Sequence, residues 1–447
     1  MLRKLRVDLT PLKENRDYRV LWTGQLISEA GRQITLAAVF FQVFQLTRSS
    51  AAVGLIGIFQ LGPLLVSSIA GQSIVDALDR RKILIITQFG YLAATSILLY
   101  GAMIGDPPLG LIYGAVALAG GLGGIDGPTR SAMTPKLVPR RQLPTALSLN
   151  QLMWNTTMSV GPIVGGLVIA RFGLAWAYGI DVITYAASII AVVLIRPMPP
   201  TEGTKSLVGL KAIKEGFAYV RGKKVLQSTF AIDLIAMIFG MPRALFPVLA
   251  VTRFEAGPQV FGLLIAAPSV GAILASLTSG WVSGVRRQGW ALIYSVLVWG
   301  AGIAAFGIAG PHLPLALAFL VIAGAADVIS AVFRSTILQL SVPDHLRGRI
   351  SAIHILVVVG GPRLGDFEAG MVATAFTPTI SVVSGGVLTI IGVLLLAAGV
   401  PELRRYVDGA LDDFSPGDQL DDQNNQGDHQ KEMDKTATDL SDQTEQP

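Results

Sequence analysis

Three oppositely charged pairs stand inside stretches that are otherwise apolar: Glu29 with Arg32, Asp126 with Arg130, and Arg363 with Asp366. The spacings are i,i+3 or i,i+4, so each pair can share one helix face and neutralise itself. Asp233 and Arg243 lie ten residues apart in one apolar stretch, too far for a local pair. Asp181, Asp327 and Glu368 have no obvious partner in sequence. Ionisable groups at membrane depth are unfavourable unless paired or wetted, so each is a candidate for function. A carboxylate in a partly dry cavity can bind and release a proton at cellular pH. Glu29, Asp366 and Glu368 are the expected carriers, whereas Asp126 and Arg130, near a helix end, have a structural reading of comparable weight.

Other chemistries find little support. The chain has no Cys, so thiolate metal sites and disulfides are excluded, and its four His are scattered. Neither a metal nor a cofactor is expected. Gly216 to Lys224 imitates a phosphate loop, but it has five intervening residues and lacks the final Ser/Thr. Gly120 to Gly127 imitates a dinucleotide loop, yet it lies inside an apolar run with no preceding strand. No nucleophile–base pair stands out in an aqueous loop, so an enzyme is not expected. The net charge of +5 could suggest nucleic acid as a partner. The basic residues lie instead in short gaps between apolar runs, which has a topological explanation.

Those apolar runs are the elements that must position the charges. Hydrophobic residues make up 51% of the 447, and charged ones 15%, against roughly 25% in a soluble domain. A helix needs about 20 residues to cross a bilayer. Runs of that length fall near 20–46, 51–75, 83–104, 110–128, 146–170, 174–195, 226–250, 259–283, 290–309, 314–336, 352–375 and 379–399. The odd gaps hold single basic residues, Arg48, Arg171 and Arg253. The even gaps hold clusters such as Arg80-Arg81-Lys82, Lys136 with Arg140 and Arg141, and Arg286-Arg287. The positive-inside rule then puts both termini and all even loops in the cytoplasm, in a multi-pass protein of a bacterial inner membrane. The basic, polar start is not a cleavable signal, and the first span is expected to act as its own insertion signal.

The expected fold is an all-α membrane protein with twelve transmembrane helices in two pseudo-symmetric six-helix bundles. Residues 1–196 form the first bundle and 225–400 the second. Residues 197–224 form a cytoplasmic linker in which LKAIKEGFAYV has the spacing of an amphipathic surface helix. Residues 401–447 form an acidic, disordered cytoplasmic tail. An internal repeat supports the two bundles. Arg130-Ser131 precedes Val138-Pro139, and Arg334-Ser335 precedes Val342-Pro343, at identical spacing. Twenty-two residues after each Pro comes a small-residue patch, at Gly161 and at Gly365. Parallel repeats of this kind build secondary transporters with a site between the halves.

Two motifs suggest how the halves move. After the second run, Gly71, Asp76, Asp79, Arg80 and Arg81 form a turn whose carboxylates can bond a facing helix terminus and hold a gate shut. On the fifth run, Gly161, Pro162, Gly165 and Gly166 allow close helix approach and loosen one helical turn. The first stretch resembles the signature between helices two and three of the major facilitator superfamily, with Gln72 and Ala77 at positions that usually hold Gly and Arg. The second resembles the GPxxGG element of antiporters in that superfamily. Phe239 to Pro247 and Gly361 to Gly370 are similar to the subgroup of bacterial exporters that contains the enterobactin (siderophore) exporter, over roughly residues 10–400.

That resemblance implies proton-driven efflux of a small molecule (a siderophore, macrolide or drug-like compound) by alternating access, as an antiporter that can confer drug resistance. It also implies a midplane cavity between the halves, where Glu29, Arg32, Asp126, Arg130, Asp233, Arg243, Arg363, Asp366 and Glu368 line the substrate and proton pathway. An Arg there could exchange a proton for an anionic or catecholate-like group on the substrate. The expected partners are the lipid bilayer, the substrate and protons, with no nucleic acid, and the protein is expected to act as a monomer. An importer of the same fold and a non-transporting membrane sensor or scaffold are the alternatives.

Overall fold

The computed structural model describes residues 8–199, 210–343 and 346–407. The linker residues 200–209 and the acidic tail from 408 onward lie outside the described residues. Within them the chain is all helical. A short α1 (Thr10–Glu14) leads into α2 (Arg16–Thr47), followed by α3 (Ser50–Ala77), α4 (Arg80–Ile104), α5 (Leu109–Leu137), α6 (Leu143–Phe172) and α7 (Leu174–Val193). Part of the linker forms a helix, α8 (Leu210–Arg221). Then come α9 (Lys224–Phe239), α10 (Phe246–Thr252), α11 (Pro258–Thr278), α12 (Gln288–Ile308), α13 (Leu313–Leu340), α14 (Arg347–Ala375), α15 (Pro378–Gly399) and α16 (Pro401–Arg404).

Ten spans among the described residues are long and apolar enough to cross a membrane: 50–68, 80–104, 109–137, 140–172, 174–193, 224–252, 258–278, 288–308, 313–340 and 378–399. Helices α2 and α14 reach 32 and 29 residues but carry charged side chains along their length. The two long helices that fall short on apolarity are therefore the ones that bear Glu29, Arg32, Arg363, Asp366 and Glu368.

Tight turns join neighbouring helices. Arg48 takes a left-handed conformation (φ 53°), and its N–H bonds Phe44 O at 2.8 Å to close α2. Asp79 caps α4, accepting from Arg81 N at 2.8 Å. Gly173 (φ 89°) supplies the positive φ that lets α6 turn directly into α7. Arg253 donates to the carbonyls of Phe306, Gly307 and Gly310 at the end of α12, at 3.2, 2.9 and 2.7 Å. Arg48 and Arg253, the isolated basic residues of two odd gaps, thus finish helix ends.

The seventh apolar run is broken. Met241 and Pro242 interrupt it, and a 3-10 turn over Arg243–Leu245 separates α9 from α10. Pro242 and Pro247 donate no N–H, so a continuous helical ladder through this stretch is not available. Trp299 Nε1 donates to the freed Gly240 carbonyl at 3.0 Å. The eighth run also ends sooner than its hydrophobicity suggests, with α11 stopping at Thr278 and a 3-10 segment, Ser279–Gly284, following.

Helix α2 packs on α6 and α7, α4 on α5 and α7, and α3 on α5. Helix α13 packs on α11 and α12, α15 on α9 and α12, and α14 on α9 and α15. The two sets meet where α3 packs on α14 and α6 on α11. These contacts approach backbone to backbone. A Cβ on Gly54 would come within 2.6 Å of Asp366 O, and one on Gly166 within 3.0 Å of Gly262 Cα. All lie toward the start of α3, the end of α14, the end of α6 and the start of α11. After α15, Leu403 is buried and Gly289 N donates to Tyr406 O at 3.3 Å. The segment assigned to the tail thus begins as packed structure, through residue 407.

Candidate functional site

Glu29 is buried on α2, with both carboxylate oxygens occupied. Arg32 donates from Nε to Oε2 at 3.0 Å and from its terminal nitrogen to Oε1 at 2.5 Å, and Gln33 Nε2 donates to Oε1 at 2.7 Å. This is the i,i+3 pair expected from spacing, reinforced by an amide. Gly161 of α6 faces Gln33, where a side chain would collide with the Gln33 methylenes. The small-residue patch therefore makes room for this network. The Arg32 guanidinium lies 5.7 Å from the centre of the Trp154 ring, within cation–π range.

Asp126 accepts from Arg130 Nε at 2.7 Å, and the pair is seated against α4, where Gln88 Nε2 donates to the other oxygen at 2.9 Å. Thr87 Oγ1 lies 3.0 Å from the same oxygen. Asp181, fully buried on α7, has no cation within ion-pair distance among the described residues. Instead the hydroxyls of Thr35, Thr184 and Thr95 lie 2.7, 3.0 and 3.1 Å from its oxygens.

On α14 the structure corrects the expected local pair. Asp366 does not bond Arg363. It accepts from an Arg243 terminal nitrogen at 3.0 Å and from Ala244 N at 3.2 Å, both from the break between α9 and α10. The break aims a free backbone N–H and a guanidinium at a carboxylate on another helix, so the inter-helix bonds prevail over the i,i+3 contact. Arg363 turns to α3, donating from Nε to Gln60 Oε1 at 2.8 Å and from NH1 to Val359 O at 2.5 Å. Among the described residues it has no carboxylate within ion-pair distance. Glu368 has no hydrogen-bond or ion-pair partner among the described residues.

The second set of helices holds a further cluster. Asp233 of α9, without a partner in sequence, lies 2.7 Å from Arg334 of α13. Asp327 lies 3.6 Å from the other terminal nitrogen of Arg334, and His354 Nε2 of α14 lies 4.0 Å from Asp233. Sequence reading singled out Arg334 only as a repeat position and passed over His354. The repeat carried the missing signal, because it aligns Arg334 with Arg130.

The candidate gate is seen in part. Asp79 Oδ1 accepts from Met198 N at 3.2 Å, and Arg81 donates to Val193 O at 2.5 Å and to Val192 O at 3.4 Å. The turn thus bonds the end of α7, within its own set of helices, and Arg80 N adds a bond to Met198 O at 3.2 Å. Gly71 is buried against Gly124 and Ile125 of α5, while the Asp76 side chain lies outside what is described. Gly161, Pro162, Gly165 and Gly166 are all buried, and Gly165 lies against Ile34 and Ala37 of α2. Among the described residues, no group of His, Asp and Glu is arranged to hold a metal ion.

Comparison with known proteins fits this architecture. The family described as "Transmembrane secretion effector" matches residues 7–423. The enterobactin exporter EntS of Shigella boydii serotype 18 is 27% identical over 405 residues, covering 90% of this chain and 95% of that protein. EntS of Escherichia coli O139:H28 matches with the same identity and coverage. Among solved structures, a POT family transporter bound to 5-aminolevulinic acid superposes with a TM-score of 0.69 at 11% identity, over 87% of this chain and 97% of that one. A mutant of the nucleoside transporter NupG gives 0.69 at 13%, over 86% and 98%. A bacterial homologue of ferroportin, inward-facing, gives 0.65 at 15%, over 87% and 99%. At these identities the superpositions speak to fold alone.

Proposed function

Because this chain belongs to the transmembrane secretion effector family of major facilitator membrane transporters, we propose that it exports a small molecule from the bacterial cytoplasm by proton-coupled alternating access. In this reading α2 and α14 cross the membrane with the ten apolar spans, giving twelve crossings in two six-helix bundles, 1–196 and 225–400, with both termini cytoplasmic. The seam formed by α3 with α14 and α6 with α11 then closes the outer side, and the cavity opens inward. Rocking of the bundles would part the Gly54 and Gly166 contacts and close the opposite ends.

One observation carries the substrate class. Arg363 lies at the seam with no carboxylate within ion-pair distance among the described residues, whereas the charges of Arg32 and Arg243 are balanced by Glu29 and Asp366. A guanidinium at the seam with no carboxylate partner favours an anionic or catecholate-like group on the ligand. A siderophore fits this best, and the similarity to enterobactin exporters favours the same class. Macrolides and other drug-like compounds remain within the proposal.

The test uses inverted membrane vesicles carrying the full chain, with enterobactin, a macrolide and a cationic dye as probes. Enterobactin uptake driven by an imposed pH gradient, lost on collapsing that gradient and reduced at least tenfold by Arg363→Gln, is expected. Uptake indifferent to the gradient would remove proton coupling. Uptake of the dye in preference to enterobactin would remove the anionic assignment.

A further inference from the structure

The cluster of Asp233, Asp327, Arg334 and His354 carries an unbalanced charge in a dry place. Asp233 and Arg334 side chains are 1% and 3% exposed. Two carboxylates face one guanidinium, so with a neutral imidazole the group bears a net negative charge. Among the described residues, the neighbouring helices do not cancel it. No Lys, Arg, Asp or Glu occurs in α11, α12 or α15. On α8, Glu215 is engaged by Arg349 of α14 at 2.8 Å, and on α16 Glu402 is engaged by Lys224 at 3.1 Å. An uncompensated buried charge is strongly unfavourable. A single added proton makes the cluster neutral.

The other paired carboxylates have no such deficit. Glu29 and Asp366 each have a matched guanidinium, and further donors complete their oxygens. Asp181 lacks a cation but is wholly enclosed, with no exposed surface through which a proton could exchange. Glu368 is accessible but stands without a second group to receive its proton.

We infer that Asp233, Asp327 and His354 hold one exchangeable proton around Arg334, and that this cluster is a proton-binding site of the transporter. The asymmetry of the contacts supplies a mechanism. Asp327 and His354 side chains are 28% and 27% exposed and form the rim, while Asp233 lies inside. A proton arriving through the rim and resting on Asp233 removes its charge and frees Arg334 to move from its 2.7 Å contact toward Asp327. That loosens α13 from α9. Loss of the proton restores the inter-helix ion pair. Asp233 Oδ1 and Arg334 NH1 are close yet not aligned for a hydrogen bond, so the contact is an ion pair.

The proton itself does not depend on the transport reading; only its use in coupling does. Infrared difference spectra of the detergent-purified full chain, recorded across about pH 5 to 9, read protonated carboxyl and imidazolium groups directly. Above the background of ordinary carboxylates and histidines, the wild type is expected to show one further titrating proton, lost in Asp233→Asn and equally in Asp327→Asn, since either change leaves a neutral pair. Arg334→Gln is expected to raise the protonated signal about twofold. Should Asp233→Asn fail to fold, Asp327→Asn, at the partly exposed rim, carries the same expectation. A titrating signal that survives both Asn variants, or that disappears instead in Glu368→Gln or Asp181→Asn, overturns the site. Gradient-independent enterobactin uptake with the infrared signal intact would overturn the transport coupling and leave the proton site standing.

Discussion

Arg130 and Arg334 occupy equivalent positions of the internal repeat, and both are buried, but they are neutralised in different ways. Arg130 bonds Asp126, four residues earlier on its own helix. Arg334 has Ser330 at that position, so its partner is Asp233 from α9, with Asp327 as a more distant second. The first arrangement is local: it forms with the helix and travels with it. The second ties two helices together, and its strength depends on their relative position. The first cannot respond to a shift between helices, whereas the second can.

The comparison is most easily broken at Arg334. Arg334→Gln strands two carboxylates and is expected to cost about 3–5 kcal/mol of stability. Arg130→Gln leaves Asp126 the donors of α4 and should cost about 1–3 kcal/mol. Thermal unfolding of the purified variants checks both, and equal losses would erase the distinction. Adding Asp233→Asn to Arg334→Gln should recover about 2 kcal/mol in the same assay, because it removes the stranded charge. No comparable recovery is expected from Asp126→Asn with Arg130→Gln.

A further contrast concerns the seam, which touches Asp366 and not Glu29. Gly54→Ala presses a methyl group on Asp366 O and is expected to cost about 1–3 kcal/mol, measured by unfolding and by loss of uptake. Gly62→Ala on the same helix meets nothing within 4 Å and should be neutral or stabilising by up to about 1 kcal/mol. The smallest effect belongs to Lys224 and Glu402, an exposed pair. The Glu402 carboxyl is held below its ordinary value by its own backbone N–H and then by Lys224, so any contribution is present at neutral pH and fades as the pH falls through that lowered value. Lys224→Ala should leave the melting temperature unchanged at neutral pH.

The local pairs were legible because helix periodicity alone brings residues three or four apart together. Glu29 with Arg32 and Asp126 with Arg130 follow from spacing, and both are seen. The same reasoning misled at Arg363 and Asp366, which share that spacing yet turn to different neighbours. Nothing in the stretch from Phe239 to Pro247 announced that its broken backbone would offer Arg243 and Ala244 N to α14. Charge pattern likewise gave Arg48 and Arg253 no role beyond topology, although each finishes a helix end.

Composition and the length of the apolar runs determined that this is a helical membrane protein, because bilayer thickness and backbone hydrogen bonding leave few alternatives. The sequence also carried the helix order, the repeat and the within-helix ion pairs. Tertiary structure alone decided which carboxylate meets which cation across helices, where the chain breaks between α9 and α10, and which glycines form the seam. Those outcomes depend on how whole helices are rotated and shifted against one another, and no spacing along a single helix encodes that.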